Sequence, residues 1–522
     1  MSNLLEKASI ITTATAYNVG SINSIKPKEN LGSNIVINGD FSNGSTSWII
    51  EAAWTVSDGV ANGNGAMGTS QELVQGGNIT NGKSYFLTYE IKNYVSGNVK
   101  TRGPNTSYRS GNGIYTFPYV ANGPLTFVGN SFYGSITNIS LKEIIGADFT
   151  FTRNTTATRV NSQGLIESVG VDLPRINYEN GCGSWLLEPQ TTNLITYSED
   201  FSQWIFNNNP TVSSAIFVSP SGENNASLID LSADTDARVA LNFGNNSTEY
   251  TFSIYLKKHQ SDSDGTFPLA YYNGSDYIKT YVNLTDVWKR FNITFTNPSG
   301  GAIGYGLSRK GTTSDETLTR CYAWGGQIEQ KAFATSYIPT SGSAKTRNQD
   351  SATNAGNSNL MSTAEGVLYA EIAALNNDLS HRRISLSDGT LNNLVYISFD
   401  TSSNRILVNA NGKVLTHTVS DETEFHKIAV LYNPIAPKLF VNGVLIDTAT
   451  AMNQITALNQ VRFDGGVGNN VFIGKAKCVA VFKDGLTDAE LGALTTINIS
   501  KVFSQRVLSD GGIIESLECV TI

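Results

Sequence analysis

At 522 residues the chain is too long for one hydrophobic core, and length alone suggests about three or four domains. Only 15% of residues are charged, the formal net charge is −8 and no basic stripe is present, which excludes a phosphate-reading nucleic-acid surface. No apolar run approaches the roughly 20 residues of a membrane span, so membrane insertion is not expected. The N-terminus carries an acid at Glu6 and no apolar core, unlike a secretory signal.

The 22 Tyr and 23 Phe, with abundant Gly, Asn, Ser and Thr, suit many short strands joined by polar turns. An all-β chain is expected. Cys182, Cys321, Cys478 and Cys519 have no metal-ligand spacing, and free thiols are expected of them rather than disulfides.

Residues 1–33 hold neither a helical nor a strand period for long, so they are expected either to dangle or to order against a partner as an attachment segment. Residues 34–148 form a first module, with alternating runs at 84–91 and 135–144 and turns at about 8–12-residue spacing. Residues 149–192 are a joint. It contains Arg-Val-Asn-Ser-Gln-Gly-Leu-Ile-Glu-Ser at 159–168, echoed at 506–516, and both copies read as hairpins.

A second module at 193–345 repeats the plan of the first. In both, Asp-Phe-Ser (at Asp40 and Asp200) is followed closely by a tryptophan (Trp48 and Trp204). Residues 346–359, poor in apolar side chains, read as a linker. The module at 360–498 has clear strands, an Asn442-Gly443 hairpin turn and a short helix from Thr487, with Glu490 placed for a capping box. Residues 499–522 complete the terminal hairpin.

Catalytic constellations are missing. The acids at 421–424 fall in a turn with the wrong spacing for a carboxylate pair. The four histidines form no metal cluster, and His426, at the start of a strand, reads as structural. No nucleophile elbow or phosphate-cradling loop occurs, so the chain is not expected to be an enzyme.

The joint, through Arg153–Val160, Asp172–Asn177 and Leu186–Asn193, resembles a recurrent segment of bacteriophage virion appendage proteins, the tail and head fibres or spikes. The first two modules resemble carbohydrate-binding jelly rolls. The third is similar to the concanavalin-A-like (laminin-G-like) lectin and glucanase sandwich, through its strand, Asn442-Gly443 hairpin, strand and helix order, but it lacks the glucanase acids. The resemblance implies tandem jelly-roll β-sandwich modules with a concanavalin-like sandwich near the C-terminus.

It also implies a structural protein of the virion that adheres to host cell-surface glycan. The expected partners are other virion proteins, reached through the N-terminal segment, and copies of itself, with a trimer favoured. A purely structural capsid or tail decoration is the alternative, and a polysaccharide depolymerase a further one. No cofactor is expected; a structural Ca²⁺ of the kind many lectins hold could draw on Asp40 or Asp200, but no ligand set is readable.

Sugar binding needs aromatic rings beside hydrogen-bonding side chains, in loops. Two places qualify: Tyr271, Tyr272, Asn273, Asp276 and Tyr277 around an Asn-Gly turn, and Tyr108, Arg109 and Tyr115 with Tyr119 in the first module. Ordinary edge-strand tyrosine is the equally weighted alternative for both. For the tryptophans, core packing is favoured over ligand stacking.

Overall fold

The computed structural model describes residues 2–27, 30–66, 71–77, 79–80, 84–102, 107–243, 248–296, 303–311, 315–496 and 513–514. Strands dominate them, and the protein is all-β, built from several antiparallel sheets. The chain forms two compact units, one of residues 27–146 and one that joins residues 1–26 to 147–522.

The unit of 27–146 has one eight-stranded sheet. Its two longest strands, Ser84–Thr101 and Leu125–Ile145, pair antiparallel with register shifts that bend them. At one shift a Cβ on Gly97, which has φ +74°, would lie 2.0 Å from the Ser131 carbonyl oxygen, so only glycine lets the strands approach there. Trp48, Trp54, Tyr89 and Phe127 fill the core.

In the larger unit, residues near 195–340 form a sandwich of two five-stranded sheets. The inward sides of strands such as Glu249–Lys258, Gly265–Tyr272 and Arg320–Glu329 build its core. The turns that open the two related stretches match. Asp40 and Asp200 accept from the backbone N–H of Ser42 and Ser202, and the Trp48 and Trp204 indoles donate to the carbonyls of Asn38 and Tyr197 at 3.1 and 3.0 Å. Both aspartates therefore cap turns. Among the described residues no cluster of three His, Cys, Asp or Glu is placed to hold a metal.

The C-terminal sandwich packs an eight-stranded sheet on a five-stranded one. Asn442 and Gly443 both have positive φ, as a tight hairpin turn requires, and Thr487 and Glu490 form a reciprocal capping box on the helix Asp488–Leu494. His426 is buried and structural, with Nε2 bonded to the Asp421 carbonyl at 2.8 Å and Nδ1 to the Asn442 amide.

Three strands of that larger sheet come from outside the sandwich's own sequence, one of them Ile176–Glu179 of the joint, which pairs with Cys182–Leu187. Strand Cys182–Leu187 of the joint and strand Ala8–Thr13 of the N-terminal segment both pair with Gly474–Phe482. The N-terminal segment is therefore neither tail nor free attachment arm. Leu5, Ala8, Ile11 and Ile25 are buried against Phe482, Leu491 and Leu494, and this burial overrides its weak sequence pattern. Trp185 and Tyr17 meet edge to face at 5.8 Å in the same core as Phe149 and Phe151.

The hairpin at 159–168 forms as Ala157–Val160 against Ile166–Val169, with Arg159 opposite Glu167 and paired to it at 2.7 Å. Its C-terminal echo lies outside the described residues except for Ile513–Ile514, which pairs with Ala16–Asn18. Cys182 is disulfide-bonded, contrary to the free thiol expected of it, whereas Cys321 and Cys478 are free and buried.

The stretch read as a linker at 346–359 is instead built into the core. Its Arg347 and Asp350 join Arg153, Arg175 and Glu188 of the joint in a cluster whose side chains are at most 2% exposed. Arg153 and Arg175 flank the Asp350 carboxylate, and Arg175 and Arg347 contact Glu188 at 2.7 and 2.9 Å. Ser336 donates its N–H and hydroxyl to Glu188, and Arg153 also donates to the carbonyls of Thr155, Gly170 and Leu173. Low apolar content does not mean exposure here, because paired charges can be buried too.

Burial pushes the Glu188 carboxyl up, but Arg347 and Arg175 outweigh it and hold the group at about 2. A carboxyl held below its unfolded value stabilises the fold above about pH 4.5, and that contribution disappears as pH falls toward 2. Its size is about 3 kcal/mol. Glu188→Gln should therefore cost about 3–5 kcal/mol at pH 7 by leaving Arg175 and Arg347 uncompensated. Urea unfolding at pH 7, 4.5 and 2.5 checks this: the variant should lose less further stability than wild type across the acid window, and parallel losses would refute the assignment.

Candidate functional site

Strand alternation divides the Tyr271 group. Tyr271 pairs with Tyr305 on the inward side and stacks on Phe295, with ring centroids 4.7 Å apart and planes at 9°, so it is a core residue. Tyr272, its neighbour, points outward and lies directly opposite Tyr277, with centroids 5.2 Å apart. Asn273 and Asp276 shape the turn between them. The Asn273 side chain accepts from the N–H groups of Ser275 and Asp276, and Asp276 accepts from that of Tyr277.

Register places Tyr272 and Tyr277 on the outer face of the five-stranded sheet formed by Ile205–Asn207, Arg238–Phe243, Ile303–Ser308, Gly265–Tyr272 and Tyr277–Leu284. The same face carries Asn207, Arg238, Ala240, Asn242, Gly304, Gly306, Ala270 and Lys279. Its middle carries small residues, and Ala240, Gly304, Gly306 and Ala270 are all buried beneath their neighbours. A Cβ on Gly306, which has φ +146°, would come within 2.6 Å of the Val239 carbonyl oxygen, so this position must be glycine.

Tyr277 lies across that floor. Its hydroxyl is 3.1 Å from where a Gly304 Cβ would be. The Arg238 guanidinium sits 5.0 Å from its ring centroid and the Lys310 ammonium 5.7 Å. Arg238 Nε donates to Asn207 at 3.3 Å, which fixes the fork and leaves its two terminal nitrogens turned to other partners. Among the described residues neither Arg238 nor Lys310 has a carboxylate partner. Lys279 and Arg309 differ, since both contact Glu316.

The result is a tyrosine pair beside an immobilised guanidinium, an ammonium and the amides of Asn207 and Asn242. This arrangement can pack a ring face against C–H groups while donating to ligand oxygens. Arg238, Lys310 and Asn242 escaped the sequence reading because they lie on strands and loops distant from the Asn-Gly turn. The alternation of Arg238, Ala240 and Asn242, together with Gly304 and Gly306, was the available signal.

In the unit of 27–146, Tyr108 is 39% exposed with the Lys100 ammonium 4.8 Å from its ring. Arg109 is held by backbone bonds to Val99, and its guanidinium lies 5.4 Å from the Phe117 ring. The Tyr115 hydroxyl donates to the carbonyls of Ser110 and Gly111 at 2.7 and 2.9 Å, so it ties down its own loop. Tyr119 is buried in the core, where burial pushes its hydroxyl pKa up.

On the C-terminal sandwich, adjacent arginines part company as the tyrosines do. Arg382 is buried and pairs with Glu422 and Asp378, whereas the Arg383 guanidinium lies 4.2 Å from the Tyr396 ring on the outer sheet face.

These features define a class by architecture: an all-β protein of sandwich modules with aromatic and cationic sheet faces. No family model matches the chain, and no curated protein matches it. Solved structures match part of it. The Ruminococcus gnavus IT-sialidase CBM40 bound to α2,3-sialyllactose aligns with 26% of this chain and 84% of its own at 20% identity and TM-score 0.23. Domain 4 of AbnA, a GH43 extracellular arabinanase from Geobacillus stearothermophilus, in complex with arabinotriose, aligns with 32% of this chain and 83% of its own at 11% identity and TM-score 0.23. The botulinum neurotoxin serotype D binding domain aligns with 30% and 41% at 15% identity and TM-score 0.24.

Two neighbouring substitutions separate packing from surface. Tyr271→Ala should lower stability by about 2–4 kcal/mol through the lost Phe295 stack, whereas Tyr272→Ala should stay within about 1 kcal/mol of wild type. Urea denaturation of the two variants measures the contrast, and equal effects would refute the assignment of faces.

Proposed function

We propose that this protein is a non-enzymatic, glycan-binding structural component of a bacteriophage virion, a fibre or spike that adheres to host cell-surface glycan. The observation that carries the glycan reading is the half-buried Tyr272–Tyr277 pair on the outer sheet face beside Arg238 and Asn242. The virion assignment rests on the resemblance of the joint at Arg153–Val160, Asp172–Asn177 and Leu186–Asn193. Single sugar sites are weak, so adhesion would draw on several copies in a homo-oligomer, with a trimer favoured by the resemblance. Contact with other virion proteins is proposed for the N-terminal segment, one edge of whose strand Ala8–Thr13 is paired with Gly474–Phe482.

The non-enzymatic reading is supported by the state of the acids in the polar cleft of the second sandwich. This cleft of about 520 Å³ is lined by Asp230, Asp262, Asp264 and Arg320. Arg320 donates to Asp262 through Nε and Nη2 at 3.1 and 2.7 Å, and that hydrogen bonding holds the carboxyl below its ordinary range. A general acid for glycoside cleavage needs the opposite shift.

The full chain should bind host cells and a subset of glycans on an array, and Tyr277→Ala should weaken that binding about 30-fold or more while leaving the fold intact. No new reducing ends should appear from host polysaccharide. Failure to bind any host surface or glycan would overturn the adhesion reading, and release of reducing ends would overturn the non-enzymatic one.

A further inference from the structure

We propose that the Tyr277 face selects acidic glycans, those bearing carboxylate or sulfate groups, with Arg238 and Lys310 as the charge-reading residues; this rests on the glycan reading above. The chain as a whole has a net charge of −8, so a pair of cations left without carboxylates on one face is a local departure from its background. Nearby cations are neutralised where the fold needs them: Arg309 binds Glu316 and the carbonyls of Leu231 and Asp234, and Lys279 binds the Arg309 carbonyl and approaches Glu316. Among the described residues Arg238 and Lys310 have no such partner.

Their placement is what an anionic substituent requires. The Tyr277 ring and the Asn207 side chain together hold the Arg238 guanidinium, so little side-chain freedom is lost when its terminal nitrogens form a fork with a carboxylate or sulfate. Lys310, 5.7 Å from the same ring centroid, adds an unforked charge. The buried glycines Gly304 and Gly306 let the Tyr277 side chain lie against the sheet, which sets its half-exposed ring beside Arg238, where a pyranose could pack with its acidic group directed at the guanidinium. A neutral glycan would use Tyr277 and Asn242 but gain nothing from the two cations.

The test uses the full chain with three soluble probes of matched length: oligogalacturonate for carboxylate, a heparin-derived oligosaccharide for sulfate, and a neutral malto-oligosaccharide. Affinities are measured by calorimetry at low and physiological salt. At least one acidic probe should bind about tenfold or more tighter than the neutral one, and the advantage should shrink with salt. Arg238→Gln and Lys310→Gln should each remove most of that advantage, Arg238→Lys should restore part of it, and Tyr277→Ala should weaken all Tyr277-dependent binding. Preference for oligogalacturonate identifies a carboxylate as the source of charge, and preference for the heparin fragment a sulfate.

Tyr277-dependent binding with no acidic preference would overturn this inference and leave the glycan reading standing. Acidic preference that survives both glutamine variants would overturn the assignment to Arg238 and Lys310. No binding of any probe that depends on Tyr277 would sink the inference together with the glycan-binding role of this face.

Discussion

The larger unit depends on charges that have been taken out of water in balanced company. Three arginines and two carboxylates from the joint and from residues 347–350 meet with side-chain exposures of at most 2%. A desolvated charge costs several kcal/mol unless its partners are placed accurately. The cluster therefore tolerates few arrangements of its contributing segments, whereas an apolar contact of equal size would accept many. Ser336 brings the segment that ends the second sandwich into the same cluster, and Arg175 reaches that serine as well as both acids. The joint is in this way a component of the core, and its distinctive residues Arg153, Arg175 and Glu188 are explained by one another.

This cluster also marks where the sequence was misleading. Strands with strong apolar runs were legible: Leu394–Phe399, His426–Tyr432 and Lys438–Val441 lie where the apolar pattern puts them, as do the Asn442-Gly443 turn and the Thr487 cap. Local chemistry decides those features. Residues 346–359 and 1–33 were misread because their structure is decided at a distance. Arg347 and Asp350 gain burial only from partners about 160–200 positions earlier or in the preceding turn, and Ile10 and Ile11 gain theirs from a strand near the other end of the chain. Composition reports what a segment can bury alone, not what it can complete.

The site residues show the same division at smaller scale. An Asn-Gly turn between tyrosines was readable, and so was the hairpin. Which ring faces water was not, until the register of Gly265–Tyr272 against both Tyr277–Leu284 and Ile303–Ser308 was known. A one-residue slip would exchange Tyr271 and Tyr272, turning a core ring outward and a surface ring inward. The inward partner Tyr305 and the stack on Phe295 exclude that alternative.

A sandwich needs only one face of each sheet for its core, so the outer face is available for function at no expense in packing. On this sheet the central outer positions are Ala240, Gly306 and Ala270. Larger side chains there would cover the sheet and remove the bed on which Tyr277 lies. Small buried residues at the centre let Tyr277 lie against the sheet near Arg238 and Lys310. The geometry of this surface is set by the same strand register that packs Tyr271 and Tyr305 against the core. On the proposed reading a ligand would meet groups already fixed by folding, which lowers the ordering cost of binding.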